Sequence, residues 1–237
     1  MLVLAGALGW HTAQTALDAV SGYQQCITAE GRPALYTLAG REQVQSDQQA
    51  VAEPEQVAVP DDVITEWFGG QAMDRKALRR TIAFVTSHLR PDGAWCNTEV
   101  HDLLMETAAV ETALGSIVRQ HKGPALSVWQ ILGFNFVEIR DYFAKYNPEL
   151  LERAMFFYNQ DFSEDWNRVY NIPWTASMSL LFYEKATRGT FVDQLGSLES
   201  RGRLWKKIYN TRLGKGTVEG YKKRALQYVH LPDSESM

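Results

Sequence analysis

One carboxylate stands in an otherwise apolar stretch of the chain, where it could act as a general acid. Residues 100–114 repeat apolar and small side chains at spacings of three and four, which predicts a helix, and Gly115 is typical of a helix end. Glu111 follows Thr107 by four residues and so shares the stripe that faces the core. Burial raises the pKa of a carboxyl, as acid catalysis near neutral pH requires. We therefore predict that Glu111 is catalytic, although most helical glutamates are simply solvated.

One reaction open to such an acid is cleavage of a glycosidic bond, in which a second carboxylate normally supplies the nucleophile or base. Glu106 lies five positions before Glu111, about 140° away around the helix, so the two should not face one cleft. We expect Glu106→Gln to have little effect. Glu138 or Asp141 remains a candidate for the second carboxylate. Without one, the N-acetyl group of the substrate can attack its own sugar.

Three segments in order resemble the lysozyme-like lytic transglycosylases, most closely the lysozyme-like proteins encoded by phages and prophages. They are Ala-Ala-Val-Glu-Thr-Ala-Leu-Gly at 108–115, Gly-Pro-Ala-Leu-Ser at 123–127 with Gln130, and a Tyr-Asn segment at 209–217. The resemblance covers about residues 95–230. It implies a mainly α fold, with a lysozyme-like domain at 61–230 between an N-terminal extension and linker at 1–60 and a tail at 231–237.

The resemblance also implies roles for single residues. Glu111 would be the catalytic acid, while Ser127, Gln130, Tyr209 and Asn210 would bind substrate, with Tyr209 holding the Glu111 side chain. The product would be a 1,6-anhydro sugar, with the same glutamate acting afterwards as base. Thr112 stands where the pattern has Ser, which keeps the hydroxyl. Ser127 stands where it has Gly, so its side chain is expected to narrow the groove.

Three functions follow as hypotheses. The first is a phage peptidoglycan lytic transglycosylase that cleaves the MurNAc–GlcNAc bond, is associated with the virion and opens the host cell wall locally. The second is an inactive lysozyme-like structural or adaptor protein of the virion, which Ser127 would favour. The third is a muramidase that uses two carboxylates. The expected partners are bacterial peptidoglycan and other virion proteins.

The composition and the cysteine count exclude several classes of protein and kinds of site. The chain is 45% hydrophobic and 22% charged, as in an ordinary soluble protein, with a net charge of −4. Residues 201–224 include nine basic residues and a single acidic one, Glu219, and such a basic run would attract anionic cell wall or nucleic acid. Residues 41–66 include seven acidic residues and a single basic one, Arg41. Cys26 and Cys96 are too few and too far apart for a metal motif or a disulfide framework. We find no zinc, phosphate-loop or nucleic-acid motif, and expect no metal or cofactor.

The first ten residues are apolar but too few to span a bilayer, and they lack the positive residues that open a secretory signal. We therefore expect no signal peptide and no membrane span, with access to the wall or periplasm through the virion or lysis. Trp129, Trp166, Trp174 and Trp205 are candidates for a sugar groove, of which one or two should lie there, because aromatic residues are more often core.

Periodicity and turn residues predict the other elements. A helix at 1–22 and a short strand within 23–43 precede the linker. A turn is expected at 90–93. The remaining helices are expected at 74–89, 134–143, 148–159, 174–187, 195–208 and 217–228.

Overall fold

The protein is mainly α-helical, as the sequence predicted, over the residues that the computed structural model describes: 59–118, 125–159, 170–211 and 214–231. The helices are α1 (Arg75–Leu89), α2 (Thr98–Thr112), α3 (Gly133–Tyr146), α4 (Pro148–Asn159), α5 (Ile172–Thr187), α6 (Leu198–Trp205) and α7 (Val218–Tyr228). Two short antiparallel strands, β1 (Ala125–Leu126) and β2 (Ile131–Leu132), form a hairpin before α3.

Polar side chains begin most of these helices by accepting a backbone N–H of the first turn, which that turn cannot satisfy by itself. The residues that do so are Asp74, Asn97, Asn171, Ser197 and Thr217. The expected turn at 90–93 is present, with the N–H of Gly93 bonded to the carbonyl of Arg90 at 2.9 Å. The bounds of the described helices lie within three residues of those predicted, except for the helix expected at 195–208.

The single helix expected at 195–208 is wrong, because the segment is divided. A 3₁₀ turn (Val192–Gln194) ends just before it, and the segment itself contains α6 and the first residues of a π-helical turn (Lys206–Asn210). A π turn carries one more residue per turn than an α-helix and is frequent at functional sites. It changes the direction in which Tyr209 and Asn210 project from the end of α6.

Helix α5 is the central helix of the core, as predicted, since most of its residues are fully buried. It packs against α1, α3 and α4, while α2 packs along α7. The pairing of α2 with α7 brings the helix that carries Glu111 beside the helix that follows the Tyr-Asn segment. None of the described helices is both long enough and apolar enough to cross a bilayer.

Several expectations fall outside the described residues: the helix at 1–22, the strand within 23–43, all but the last two residues of the linker, Cys26, Trp166 and the Gly123-Pro124 pair. Cys96 is described and is disulfide-bonded. The sequence alone did not predict this bond, because two distant cysteines carry no spacing signal.

Candidate active site

Glu111 is the second-last residue of α2, at the point where the helix ends. Three successive residues there adopt left-handed backbone: Ala113 (φ 50°), Leu114 (φ 55°) and Gly115 (φ 85°). The hydroxyl of Thr112 accepts a hydrogen bond from the N–H of Gly115 at 2.8 Å and so closes this turn. The carboxyl group of Glu111 is thereby held at the end of a rigid helix whose other face is core.

Trp205 holds the carboxyl group of Glu111 from the opposite side. Its indole N–H donates a 2.8 Å hydrogen bond to Oε1 of Glu111. Because an indole can only donate, Oε1 acts as the acceptor, and this favours Oε2 as the site of a proton on the carboxyl group. Trp205 is itself only 2% exposed, so its position is fixed by packing.

The pKa of Glu111 is raised from 4.5 to about 7, and burial is the main cause. The hydrogen bond from Trp205 and the charge of Arg224 both stabilise the carboxylate and oppose this rise. A carboxyl group with this pKa is substantially protonated at neutral pH. It can donate a proton to a leaving group and accept one afterwards.

A cleft of about 250 Å³ opens over this carboxyl group, between α2 and α7. Glu111 is the only carboxylate that lines it among the residues described. The lining is otherwise apolar, neutral or basic: Val110, Trp205, Asn210, Gly216, Thr217, Gly220, Tyr221 and Arg224. The cleft therefore offers one acid, one amide and one guanidinium to a ligand.

Two glycines let the chain pass close over the π turn. A Cβ on Gly214 would lie 2.0 Å from the carbonyl oxygen of Asn210, and one on Gly216 would lie 2.4 Å from Cη2 of Trp205. Lys206 braces the same loop by donating 2.8 Å hydrogen bonds to Oδ1 of Asn210 and the carbonyl of Gly214. Asn210 thus lies in the cleft, where the sequence predicted a substrate-binding residue, with its Oδ1 already engaged.

Tyr209 lies near Glu111 but does not hold it. Its hydroxyl forms a hydrogen bond with the Ser179 hydroxyl, and its ring packs against Phe182 and Tyr183. Burial raises the pKa of Tyr209, and the nearby charge of Glu111 raises it further. The expected role in holding Glu111 is filled instead by Trp205, because the π turn directs Tyr209 toward α5.

Ser127 and Gln130 lie in the hairpin turn, which is tied to α2 but does not line the described cleft. The hydroxyl of Thr112 is 2.8 Å from the carbonyl of Val128, which places the hairpin beside the end of α2. Ser127 has the positive φ (73°) that favours glycine, and its side chain is fully buried. The expectation that its hydroxyl narrows a groove is therefore wrong for this cleft. Gln130 is partly exposed and donates to the carbonyl of Ser127 at 2.9 Å.

Neither proposed second carboxylate reaches the cleft. Glu138 pairs with Lys185 at 2.8 Å and Asp141 with Arg140 at 2.9 Å, both on the exposed side of α3. The two-carboxylate arrangement thus has no support among the described residues.

Glu106 is fully buried at the centre of a second network, which shares Tyr221 with the wall of the cleft and extends to the exposed His230. Arg201 donates to both of its carboxylate oxygens, at 2.6 and 2.8 Å, and Tyr221 and His230 contact it at 2.8 and 2.7 Å. Although burial raises the pKa of Glu106, the hydrogen bonds from Arg201 and His230 hold it below its ordinary value. The expectation that Glu106→Gln does little is thus at odds with this environment, because Arg201 would lose its main counter-charge.

The same network brings Asp102, Glu106 and His230 close enough together for one atom of each to contact a single metal ion. The sequence did not suggest this grouping. Arg201 lies in this cluster, bonded to both oxygens of Glu106 and 3.5 Å from Asp102. A cation would have to displace this guanidinium. The arrangement is therefore better explained as a structural ion-pair network that joins α2, α6 and α7.

Only one of the described tryptophans lies at the cleft. Trp129 is fully buried and donates to the carbonyl of Leu104, while Trp174 packs against Phe136 and Tyr158. Trp205 lines the cleft, in keeping with the expectation of one or two. Sequence reasoning missed its contact with Glu111, which is 94 positions away. It also missed Arg224, which looked like any other member of the basic run.

The basic run divides into paired and unpaired residues. Arg201 is buried with Glu106, and both Arg203 and Lys222 pair with Glu199. Five basic residues form no ion pair among the residues described: Lys206, Lys207, Lys215, Lys223 and Arg224. Of these five, Arg224 alone lines the cleft.

Comparison with known proteins adds no relative: no family model, curated protein or solved structure matches the chain.

Proposed function

We propose that the protein is a phage-encoded peptidoglycan lytic transglycosylase that cleaves the MurNAc–GlcNAc bond, with Glu111 as its single acid and base. The observation that carries this proposal is the raised pKa of Glu111, about 7, in a cleft lined by no other described carboxylate. The resemblance of the segments at 108–115, 123–130 and 209–217 to lysozyme-like proteins supports the same choice.

In the first step, protonated Oε2 of Glu111 donates its proton to the glycosidic oxygen. The bond from that oxygen to C1 of MurNAc breaks, and the carbonyl oxygen of the 2-acetamido group bonds to C1. Trp205 remains bonded to Oε1, so the carboxylate that results keeps its orientation. Positive charge on the sugar is balanced by the new negative charge on Glu111.

In the second step, the Glu111 carboxylate removes the proton from the C6 hydroxyl of MurNAc. The C6 oxygen then bonds to C1, and the bond from C1 to the acetamido oxygen breaks. The product is a 1,6-anhydro sugar, and Glu111 is protonated again. A pKa near 7 suits both steps, because the same group must give and then take a proton at one pH.

The test is mass spectrometry of muropeptides after digestion of purified sacculi. We expect 1,6-anhydromuramic ends from the wild-type protein and no release by Glu111→Gln. Predominantly reducing muramic ends would favour a hydrolase instead. No release by the wild-type protein would favour an inactive structural component of the virion, the alternative that rests on Ser127.

Association with the virion, where local opening of the host wall would aid genome delivery, is part of the same proposal. Immunoblotting of purified particles would test it. Detection of the chain at a fixed ratio to a major virion protein is expected, and its absence from particles would argue for a lysis enzyme released at the end of infection.

A further inference from the structure

Arg224 lines the Glu111 cleft from α7 and has no carboxylate partner among the residues described. Three basic residues nearby do have carboxylate partners, since Arg201 pairs with Glu106, and Arg203 and Lys222 share Glu199. A guanidinium presents a planar fork of donors that matches a carboxylate. Its charge is therefore available to a ligand in the cleft.

The position of Arg224 works against the acid that it faces. Its positive charge stabilises the Glu111 carboxylate and so opposes the protonated form that acid catalysis needs. Two other titratable groups lie close enough to Glu111 to interact with its charge, Tyr183 and Tyr209. Burial raises the pKa of both tyrosines, so both hydroxyls are neutral at physiological pH. A ligand carboxylate on Arg224 would cancel the opposing charge at the moment that the substrate is bound.

We propose that Arg224 binds a carboxylate of the ligand, so that the cleft prefers a negatively charged glycan to a neutral one. The inference rests on the proposed function, because the ligand is taken to be a peptidoglycan fragment. The carboxylate has two possible sources, the lactyl ether of MurNAc or the peptide stem attached to it. Both offer the same chemistry to a guanidinium.

The experiment measures binding and not turnover. Isothermal titration calorimetry with the full chain would compare GlcNAc–MurNAc, which has a free lactyl carboxylate, with its carboxamide. A third ligand, GlcNAc–MurNAc–L-Ala–D-isoGlu, carries its carboxylates on the stem. We expect the free acid to bind about fivefold more tightly than the carboxamide, and high salt to reduce the difference.

Two variants localise the effect. Arg224→Gln should abolish the preference for the charged ligand, because the amide has no net charge. Lys223→Gln is the matched control: it removes the same charge from the neighbouring position of α7 but does not line the cleft, so it should leave the preference intact. Tight binding of the dipeptide ligand that also depends on Arg224 would identify the stem as the source.

The binding results distinguish failure of the role inferred for Arg224 from failure of the proposed function. Equal binding of acid and carboxamide, or a preference that survives Arg224→Gln, would overturn the role of Arg224 while leaving a glycan site. Absence of binding by all three sugars would overturn both. The chemical shift of the Trp205 indole N–H reports whether the ligand occupies the Glu111 cleft, since this group is bonded to Glu111.

Discussion

Glu106 and Glu111 lie five residues apart on one helix, yet the protein displaces their pKa values in opposite directions. Burial raises the pKa of both, but Glu106 receives hydrogen bonds from Arg201, His230 and Tyr221, whereas among the described residues Glu111 receives that of Trp205 alone. One carboxylate is thus held charged in a buried ion pair, while burial favours the protonated form of the other, as the proposed acid requires.

Replacing Glu111 by Gln should abolish wall lysis and change stability only at high pH. A folded pKa raised above 4.5 stabilises the fold at low pH, and this contribution is lost as pH rises through about 7. Glu111→Gln should therefore match wild type at pH 5 and exceed it at pH 8, by about 1–3 kcal/mol of unfolding free energy. Urea denaturation at both pH values checks this. A variant less stable than wild type at pH 8 would mean that Glu111 is not desolvated.

Replacing Glu106 by Gln should destabilise the fold at neutral pH, by roughly 3–5 kcal/mol, because the buried Arg201 loses its main counter-charge and keeps only the more distant Asp102. The folded pKa of Glu106 is lowered, so its contribution is present above its ordinary pKa and is lost as pH falls through the folded value. Denaturation curves at pH 7 measure the loss. Glu199→Gln, on the surface, is the control and should change little. Equal effects of the two would show that the buried network is not important for stability.

Replacing Trp205 by Phe should move the alkaline limb of the pH–activity profile to higher pH. The variant keeps an aromatic ring but removes the donor that favours the Glu111 carboxylate, so the pKa of Glu111 rises. Turnover at the optimum should also fall, because the orientation of Oε2 is no longer fixed. Trp67→Phe is a suitable control, since Trp67 donates a 2.9 Å hydrogen bond to Gly115 close to the same helix end. An alkaline limb that stays in place in both variants would show that Trp205 does not influence the pKa of Glu111.

Replacing Ser127 by Gly should leave turnover unchanged, because the serine side chain is fully buried away from the cleft. Its φ of 73° favours glycine by roughly 1 kcal/mol, an advantage that the greater freedom of glycine in the unfolded chain offsets in part. Thermal unfolding should therefore show a small gain at most. Faster lysis by the variant would place the glycan against the hairpin turn, as the sequence alone suggested.

The sequence predicted most helix bounds and the position of the half-buried Glu111 on a stripe of buried residues, because both depend on neighbours three or four residues away. Thr107 and Glu111 share a stripe that can be recognised without a structure. The partners of Glu111 could not be predicted in the same way, since Trp205 and Arg224 reach it only through the packing of α2 against α7. Tyr209 was placed near the acid, but the choice of Ser179 as its partner depends on a turn that no periodicity indicates.

The π turn at Lys206–Asn210 determines how far the residues that follow it are rotated about the helix axis relative to those of α6. Upstream, α6 keeps Arg201 against Glu106, while downstream Asn210 lines the cleft. In a regular α-helix each residue advances the direction of its side chain by about 100°, so the one extra residue acts as a phase shift of that size. We expect an insertion or deletion of a single residue here to leave α6 in place and to turn the Asn210 amide away from the cleft. The spacing between Trp205 and Asn210 is therefore as much a determinant of the cleft as the identity of either residue.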